Sequence, residues 1–233
     1  NAADGDMSNL NDNGDPGMIS KLGDFIKKGV ITPIIPLDRI FIEDPVRMLR
    51  AVKYSVTTGC KMPRKLRKTI CRSAPLLSPV SPSRLTEELL KIINSAHSVD
   101  IVLNALDTDL YVYLQPAATN LMLENKKFAE DYIKSLEELD EFVRNNHEAR
   151  LGEKLFFILK DFVKTLTDWD MEAKTQTPAA ELYKRTWTIC RNFILPMNPQ
   201  RTELDYAVRK ILLTLGIKVK QKKVKRTGPS EKN

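Results

Sequence analysis

The sequence predicts a mainly α-helical protein. From Asp44 almost to the end of the chain, apolar residues recur at three- and four-residue steps between Pro and Gly positions, which is the spacing of amphipathic helices. The strand-like run GVITPIIPL at 29–37 contains Pro33 and Pro36, so we expect only an edge strand or an extended connection there. With 42% apolar residues among 233, the chain can bury a hydrophobic core.

The Pro and Gly positions divide the chain into segments. The first 17 residues are rich in Asn, Asp and Gly and are typical of a loop. Proline and glycine interrupt helices because proline lacks an amide donor and glycine loses more conformational entropy than other residues. We expect helices over residues 45–58, 63–73, 82–95, 98–106, 119–146, 150–167, 178–194 and 201–215.

The helix at 45–58 has a distinct start and two distinct faces. Asp44 before Pro45 is a typical start, because Asp accepts from free amides of the first turn and Pro suits the first helical position. At 100° per residue, Arg47, Arg50 and Tyr54 fall within roughly 60° of one another. The opposite, apolar face contains Val46, Met48, Leu49, Val52 and Val56. We therefore expect the two arginines to face away from the core.

The helices at 82–95 and 119–146 carry regular apolar stripes. Ser81 and Pro82 form another cap and first-turn pair. The stripe of the first helix contains Leu85, Leu89, Ile92 and Ile93, and that of the second contains Leu121, Phe128, Tyr132, Leu136, Leu139 and Val143. We expect the acids Glu137, Glu138, Asp140 and Glu141 to lie outside the second stripe.

The sequence excludes several classes of protein and site. Apolar runs fall short of the roughly 20 residues that cross a bilayer, and the polar, acidic N-terminus does not resemble a secretory signal. We expect a cytoplasmic protein without a membrane partner. The three cysteines have no CxxC spacing, and two histidines are too few for a histidine-rich metal site. Glycine-rich phosphate loops and nucleophile triads are not found either.

Positive charge is concentrated in two regions. The net charge is +7, and residues 218–233 carry seven basic groups and one acid. Residues 45–72 carry nine basic groups and no acid. Lys and Arg runs neutralise phosphates by counterion release, so this distribution favours a polyanionic partner such as RNA, DNA or a nucleotide. The alternative is a solubilising tail and a solvated helix face.

Asp44 and Arg47 form a pair that could recognise a base. Adenine and cytosine each present an amino donor beside a ring-nitrogen acceptor. A carboxylate can accept from the amino group while a guanidinium donates to the ring nitrogen. Guanine and uracil present a carbonyl where that amino group lies, and the carboxylate would repel it. One Asp/Arg pair a helical turn apart could therefore select A and C.

Two stretches resemble a known family. FIEDPVRMLRAVKYSVTTG, followed by APLLSPVSPSRLTEELLKII, resembles the neck of bacterial poly(A) polymerases and CCA-adding tRNA nucleotidyltransferases, the class II group of the polymerase-β-like nucleotidyltransferases. The similarity covers residues 29–115 closely and the following helices loosely. Residues 191–226 are more similar to the basic C-terminal end of the poly(A) polymerase branch than to that of a CCA-adding enzyme.

The resemblance implies a role for each matching residue. Asp44 and Arg47 would contact the incoming base, supported by Glu43 and Arg50. Two further residues, Arg84 and Glu87, would brace the neck helices. RNA contacts are predicted for the basic residues Lys61, Arg64, Lys65, Arg67, Lys68, Lys218, Lys220, Lys222, Lys223, Lys225 and Arg226.

The resemblance also implies a domain organisation. Residues 1–43 would be a short remnant of an α/β nucleotidyltransferase head with its linker, 44–115 the neck, 116–217 a helical RNA-binding body, and 218–233 a basic tail. The family's Gly-Ser turn followed by a D-x-D carboxylate pair, and its Arg-Arg-Asp motif, do not precede the neck here. DGD at Asp4–Asp6 has the spacing of a carboxylate pair, but it stands in a Gly/Asn-rich loop with no strand before it. Asn1-Ala2 matches the residues that follow Arg-Arg-Asp in the family. We therefore expect the sequence to begin inside a longer protein, without a catalytic residue or metal ligand of its own. The D-x-x-G-G loop is imperfect near ISKLGDF.

Taken with the resemblance, the sequence predicts part of a poly(A) polymerase-like enzyme. The full-length enzyme would use Mg²⁺ and ATP to add AMP to RNA 3′ ends, of mRNA or tRNA. This chain alone would bind RNA and be inactive. A CCA-adding tRNA nucleotidyltransferase is the nearest alternative, because the same Asp/Arg pair suits CTP and ATP. A non-catalytic helical RNA-binding module is the alternative from another class.

Overall fold

The predicted mainly α-helical fold is confirmed. The structure is a computed structural model that describes residues 26–27, 29–31, 36–37 and 39–219. The helices of this described part are α1 (Ile40–Glu43), α2 (Arg47–Thr57), α3 (Arg64–Ser73), α4 (Pro82–Ile93), α5 (Ser98–Leu106), α6 (Tyr111–Leu114), α7 (Pro116–Glu124), α8 (Lys126–Asn145), α9 (Leu151–Leu166), α10 (Trp169–Thr175), α11 (Ala179–Phe193) and α12 (Arg201–Thr214). A 3₁₀ turn (Ala74–Leu77) follows α3 directly.

A small hairpin precedes the helices. Strands β1 (Ile26–Lys27) and β2 (Val30–Ile31) pair antiparallel. Val30 also forms a parallel bridge with Lys61, in which Ile31 N donates to Lys61 O at 3.1 Å. The strand-like run therefore contributes a two-residue strand, and its pairing ties the hairpin to the loop just before α3.

One continuous hydrophobic core runs through the described helices. Helix α9 packs along α8 and α12, while α11 also packs against α12 and α9. Helix α5 contacts both α2 and α8, and so connects the helices near the start of the described chain with the later ones. None of the described helices is both long enough and apolar enough to span a bilayer.

The helix predicted over 119–146 is two helices. Asn125, between α7 and α8, has extended backbone angles (φ −132°, ψ 101°), and its side chain accepts from Phe128 N at 3.0 Å. Asn125 therefore caps α8, which is a common role for Asn. The apolar stripe continues across this break, which is why periodicity alone joined the two helices. The short helices α1, α6 and α10 were not predicted from the sequence.

Asp140 corrects the prediction that the acids of α8 lie outside the apolar stripe. Its residue is only 6% exposed. Oδ1 accepts from Ser98 N at 2.7 Å, and Oδ2 accepts from Val99 N at 3.1 Å. Asp140 thus satisfies two free amides in the first turn of α5 from a neighbouring helix. Helix periodicity cannot reveal this role, because the partner amides lie about forty positions away.

Close packing joins the start of α9 to the start of α12. Glu203 accepts from Arg150 Nε at 3.1 Å, from Arg150 Nη2 at 2.7 Å and from Gly152 N at 2.6 Å. Arg150 holds the pKa of the Glu203 carboxyl below its usual range. A Cβ on Gly152 would lie 2.7 Å from the carbonyl oxygen of Glu203 and 3.0 Å from Tyr206 Cβ. Glycine is therefore required here for close approach of the two helices.

Gly152→Ala should destabilise the protein, although alanine favours helix formation. The new methyl group would overlap backbone and a ring-bearing side chain, and such overpacking costs about 1–3 kcal/mol against a helix-propensity gain of about 1 kcal/mol. Thermal unfolding followed by circular dichroism should show a lower Tm. A Tm equal to or above that of the wild type would contradict this close packing.

Candidate nucleic-acid interface

Asp44 lies in a turn immediately before α2. Arg47 N donates to Asp44 O at 3.1 Å, and Val46 N donates to Asp44 Oδ1 at 3.3 Å. Helix α2 consequently begins at Arg47, two residues later than the sequence predicted. The predicted buried face is present, since Val46, Met48, Leu49 and Val52 are all buried. Burial of this face holds Asp44 and Arg47 at one end of the helix.

Arg47 lies beside both neighbouring acids. Its Nη1 is 3.3 Å from Glu43 Oε2 and donates to Ile40 O at 3.4 Å. Its Nε is 4.0 Å from Asp44 Oδ2. The structure therefore brings Glu43, Asp44 and Arg47 together, with the Arg47 side chain 34% exposed to solvent.

Arg84 reaches Asp44 from α4. Its Nη2 donates to Asp44 Oδ1 at 2.8 Å, across forty positions of sequence. Oδ1 thus receives two donors, from Arg84 and from Val46 N. Within the described part of the chain, the structure shows no hydrogen bond to the other carboxylate oxygen, Oδ2. This arrangement leaves one oxygen of a fixed carboxylate beside a partly exposed guanidinium.

The buried acid that joins α2 to α4 is Glu88, not the predicted Glu87. Glu88 Oε1 accepts from Arg50 Nε at 3.1 Å and from Lys91 Nζ at 3.0 Å. The Glu88 side chain is 3% exposed. Glu87 is exposed, and no contact of its side chain is seen among the described residues. Arg50 contacts Glu88 of α4, and no contact with Asp44 is seen among the described residues, so its predicted supporting role stays a prediction.

The exposed cations of α3 share one face. At 100° per residue, Arg64, Lys65, Lys68 and Arg72 fall within about 100° of one another, and the helix rises about 12 Å between the first and the last. All four are exposed, as is Lys61 in the preceding loop. Arg67 lies apart from this set and pairs with Asp107. We call Arg64, Lys65, Lys68 and Arg72 the basic face of α3.

The charge of α3 is unfavourable for an isolated helix. The helix contains no acid, and Arg64 and Lys65 stand in its first turn. Cations at a helix N-terminus add to the positive end of the helix dipole and are destabilising there. A bound phosphate would reverse that cost, because it would neutralise both the side chains and the dipole.

The tail residues are described only in part. Lys218 is exposed. Lys220, Lys222, Lys223, Lys225 and Arg226 lie outside the described residues, as does the loop near ISKLGDF. Their predicted contacts with RNA stay predictions.

Strongly shifted pKa values lie in the interior. Burial raises the pKa of Tyr132, hydrogen-bonded to Tyr111 at 2.9 Å, to about 12. Burial also raises the pKa of Cys190 to about 12. These groups are inert components of the core at neutral pH. Among the described residues there is no group of three or more His, Cys, Asp or Glu placed to hold a metal ion.

Glu88→Gln should destabilise the protein because it leaves the Arg50 and Lys91 cations beside a buried neutral amide. Both cations are partly exposed, so water offsets some of the loss and we expect a cost of about 1–3 kcal/mol. The free energy of unfolding in urea measures it. Glu87→Gln, one position earlier and exposed, is the matched control and should stay within about 0.5 kcal/mol of the wild type. Equal effects of the two changes would contradict the assignment.

The residues that match known proteins include α3 and its basic face. Residues 59–122, which contain α3 to α6, match the family model described as "Probable RNA and SrmB- binding site of polymerase A". Poly(A) polymerase I from an Escherichia coli strain is 34% identical over 100 residues, which cover 43% of this chain and 22% of that protein.

Two further relatives are a poly(A) polymerase and a CCA-adding enzyme. Poly(A) polymerase I of Salmonella typhi is 31% identical over 134 residues, covering 57% of this chain and 28% of that protein. The CCA-adding enzyme of Geobacillus kaustophilus is 29% identical over 98 residues, covering 42% of this chain and 24% of that protein. The matches thus span about a quarter of the length of these relatives. Over these residues the chain is similar to bacterial poly(A) polymerases and CCA-adding enzymes.

Proposed function

We propose that this chain supplies the RNA-binding and base-recognition parts of a nucleotidyltransferase that adds AMP from ATP to RNA 3′ ends. The observation that carries the proposal is the basic face of α3, which is free of acids and lies inside the residues matched by the RNA-binding family model. Phosphate contacts supply most of the affinity of a protein for a nucleic acid. A helix with several exposed cations on one side is suited to that role.

Asp44 and Arg47 would recognise the base of the incoming nucleotide. Arg84 and Val46 N occupy Asp44 Oδ1, so Oδ2 would accept from the amino group of adenine. Arg47, whose Nε lies 4.0 Å from that oxygen, would donate to the adjacent ring nitrogen. Arg84 and the Glu88–Arg50 contact would hold the pair in place, so that little ordering is required on binding.

The phosphoryl-transfer chemistry belongs to another part of the proposed enzyme. Mg²⁺ and the phosphates of ATP would be held by carboxylates outside the described residues, among which no group of three or more His, Cys, Asp or Glu is placed to hold a metal ion. We therefore expect the isolated chain to bind RNA without adding nucleotides to it.

A CCA-adding activity is the second candidate. Relatives with either name match at similar identity, and the Asp44–Arg47 pair suits cytosine as well as adenine. The two activities give different products. A full-length form supplied with an RNA primer, ATP and CTP would produce a homopolymeric A tail if the first proposal holds. Addition of C, C and A followed by arrest would establish the second.

Neutralising the basic face of α3 should weaken RNA binding and its salt dependence. In the triple variant Arg64→Gln, Lys65→Gln, Lys68→Gln, each lost phosphate contact should reduce the slope of log K against log salt concentration by about 0.7, so by about 2 in all. Fluorescence anisotropy with a labelled single-stranded RNA measures the slope.

The matched control removes the same charge elsewhere. Lys126→Gln, Lys127→Gln, Lys134→Gln changes three exposed lysines of α8 and should leave the slope near that of the wild type. Equal losses in both variants would mean that net charge, and not the α3 face, governs binding.

Arg47→Ala should relax base selection while RNA primer binding stays intact. Loss of one half of a paired base contact costs about 1–3 kcal/mol of discrimination, so the preference of a full-length form for ATP over GTP and UTP should fall about tenfold or more. Nucleotide competition in a primer-extension assay measures this preference. Arg64→Ala is the control and should change primer affinity but not base preference. An unchanged preference in Arg47→Ala would exclude the base-reading role.

A further inference from the structure

A groove of about 400 Å³ lies between α1 and the end of α3. One wall is apolar and the other carries polar side chains. The apolar wall is formed by Phe41 and Ile42 of α1 together with Leu76 of the 3₁₀ turn, and the polar wall is formed by Thr69, Arg72 and Ser73. None of these residues has a role in the function proposed above, apart from the charge of Arg72.

The groove borders the basic face of α3. Arg72 belongs to both, because it lines the groove and lies on the same helix face as Lys68. Lys65 lies one turn before Thr69 on the wall of the groove, and Thr69 Oγ1 donates to Lys65 O at 2.9 Å. Arg72 therefore lines the polar wall of the groove, and Lys65 and Lys68 lie on the adjoining face of α3. The acid next to Ile42, Glu43, is paired with Arg47.

Ile42 is unusually exposed for its type. The residue is 70% exposed, although its neighbours Ile40 and Phe41 are buried. An exposed branched aliphatic side chain beside the basic face of α3 suits a ligand that has one flat apolar part and one anionic part. Ser73 Oγ makes no hydrogen bond that is seen within the described residues, so it is available to a polar edge of such a ligand.

We propose that this groove is a nucleobase subsite for single-stranded RNA. One unstacked base inserts against Ile42 and Leu76, while its flanking phosphates contact Lys65, Lys68 and Arg72. The inference rests on the proposed RNA binding by α3 and adds a preference for single-stranded over double-stranded RNA. A base in a duplex stays stacked and paired, and therefore cannot enter a groove of this kind.

The dimensions favour a base over an amphipathic peptide helix. Helix-in-groove recognition uses anchors at i, i+4 and i+7, which extend over about 10 Å and need a long apolar groove. The apolar side chains that line this groove are Leu37, Phe41, Ile42 and Leu76, and the cation Arg72 lies on its polar wall. A single planar base with attached phosphates matches both features, whereas an acidic peptide would match the charge alone.

The test uses Ile42→Ser in the whole 233-residue chain, with Leu123→Ser as the matched control. Leu123 lies on α7 and is 82% exposed, so both changes remove an exposed aliphatic side chain and neither should disturb folding. Affinities are measured for a short single-stranded oligo(A) and for an RNA duplex with the same number of phosphates. Ile42→Ser should weaken oligo(A) binding about fivefold and leave duplex binding unchanged, because the lost apolar contact exists only with an unstacked base. Leu123→Ser should change neither affinity.

A second measurement locates the base directly. Single-stranded RNA carrying one 4-thiouridine is irradiated with the wild-type chain, and the crosslinked peptides are identified by mass spectrometry. Crosslinks within residues 36–42 or 69–76 support the subsite. Crosslinks confined to other segments, together with equal oligo(A) affinity of Ile42→Ser and wild type, would overturn it and leave an acidic peptide as the better occupant. If the wild-type chain binds no RNA at all, the proposed RNA-binding function is wrong. If it binds RNA but Ile42→Ser and the crosslinks show no effect at the groove, only the subsite is wrong.

Discussion

The buried carboxylate of Glu88 is the constraint on which the arrangement of the proposed base-reading residues, Asp44 and Arg47, depends. Glu88 holds Arg50, which lies one turn after Arg47 on the same helix. A buried acid requires its partners, and a shift of α2 along α4 would separate Arg50 from Glu88 and leave Lys91 to compensate the buried charge. The contact between Arg84 and Asp44 ties the same two helices together at the start of α2. Two ionic contacts thus fix where Asp44 and Arg47 stand.

Other described helices hold α2 in place, whereas the basic face of α3 is exposed to solvent. Helix α5 contacts α2 on one side, and Asp140 of α8 caps its first turn on the other. Through these contacts, α5 fixes the position of α2 relative to α8. Helix α3 differs from its neighbours because its cations have few acidic partners within the described residues. The unfavourable charge of α3 supports the proposed binding of an anionic ligand.

The sequence predicted the features that depend on local patterns. The apolar stripes and the Pro and Gly positions predicted helices α2 to α5, α9, α11 and α12. Every boundary of these helices agrees with the structure to within two residues. The break at Asn125 was missed because the stripe continues through it. Glu88 and Asp140 were missed because both act on partners about forty positions away, and a helical wheel shows which side a residue lies on, not what it meets there. The groove beside Ile42 was missed for the same reason, because it forms only where α1 and α3 lie together in the folded chain.

The most direct test of this account is a titration of the isotopically labelled chain with short single-stranded RNA, followed by amide chemical shifts. The account predicts the largest and saturable shifts in residues 61–73, where the basic face of α3 lies, with smaller shifts at Ile42 and Asp44. Shifts that appear only in helices α8 to α12, or that are spread evenly over all exposed lysines, would contradict it.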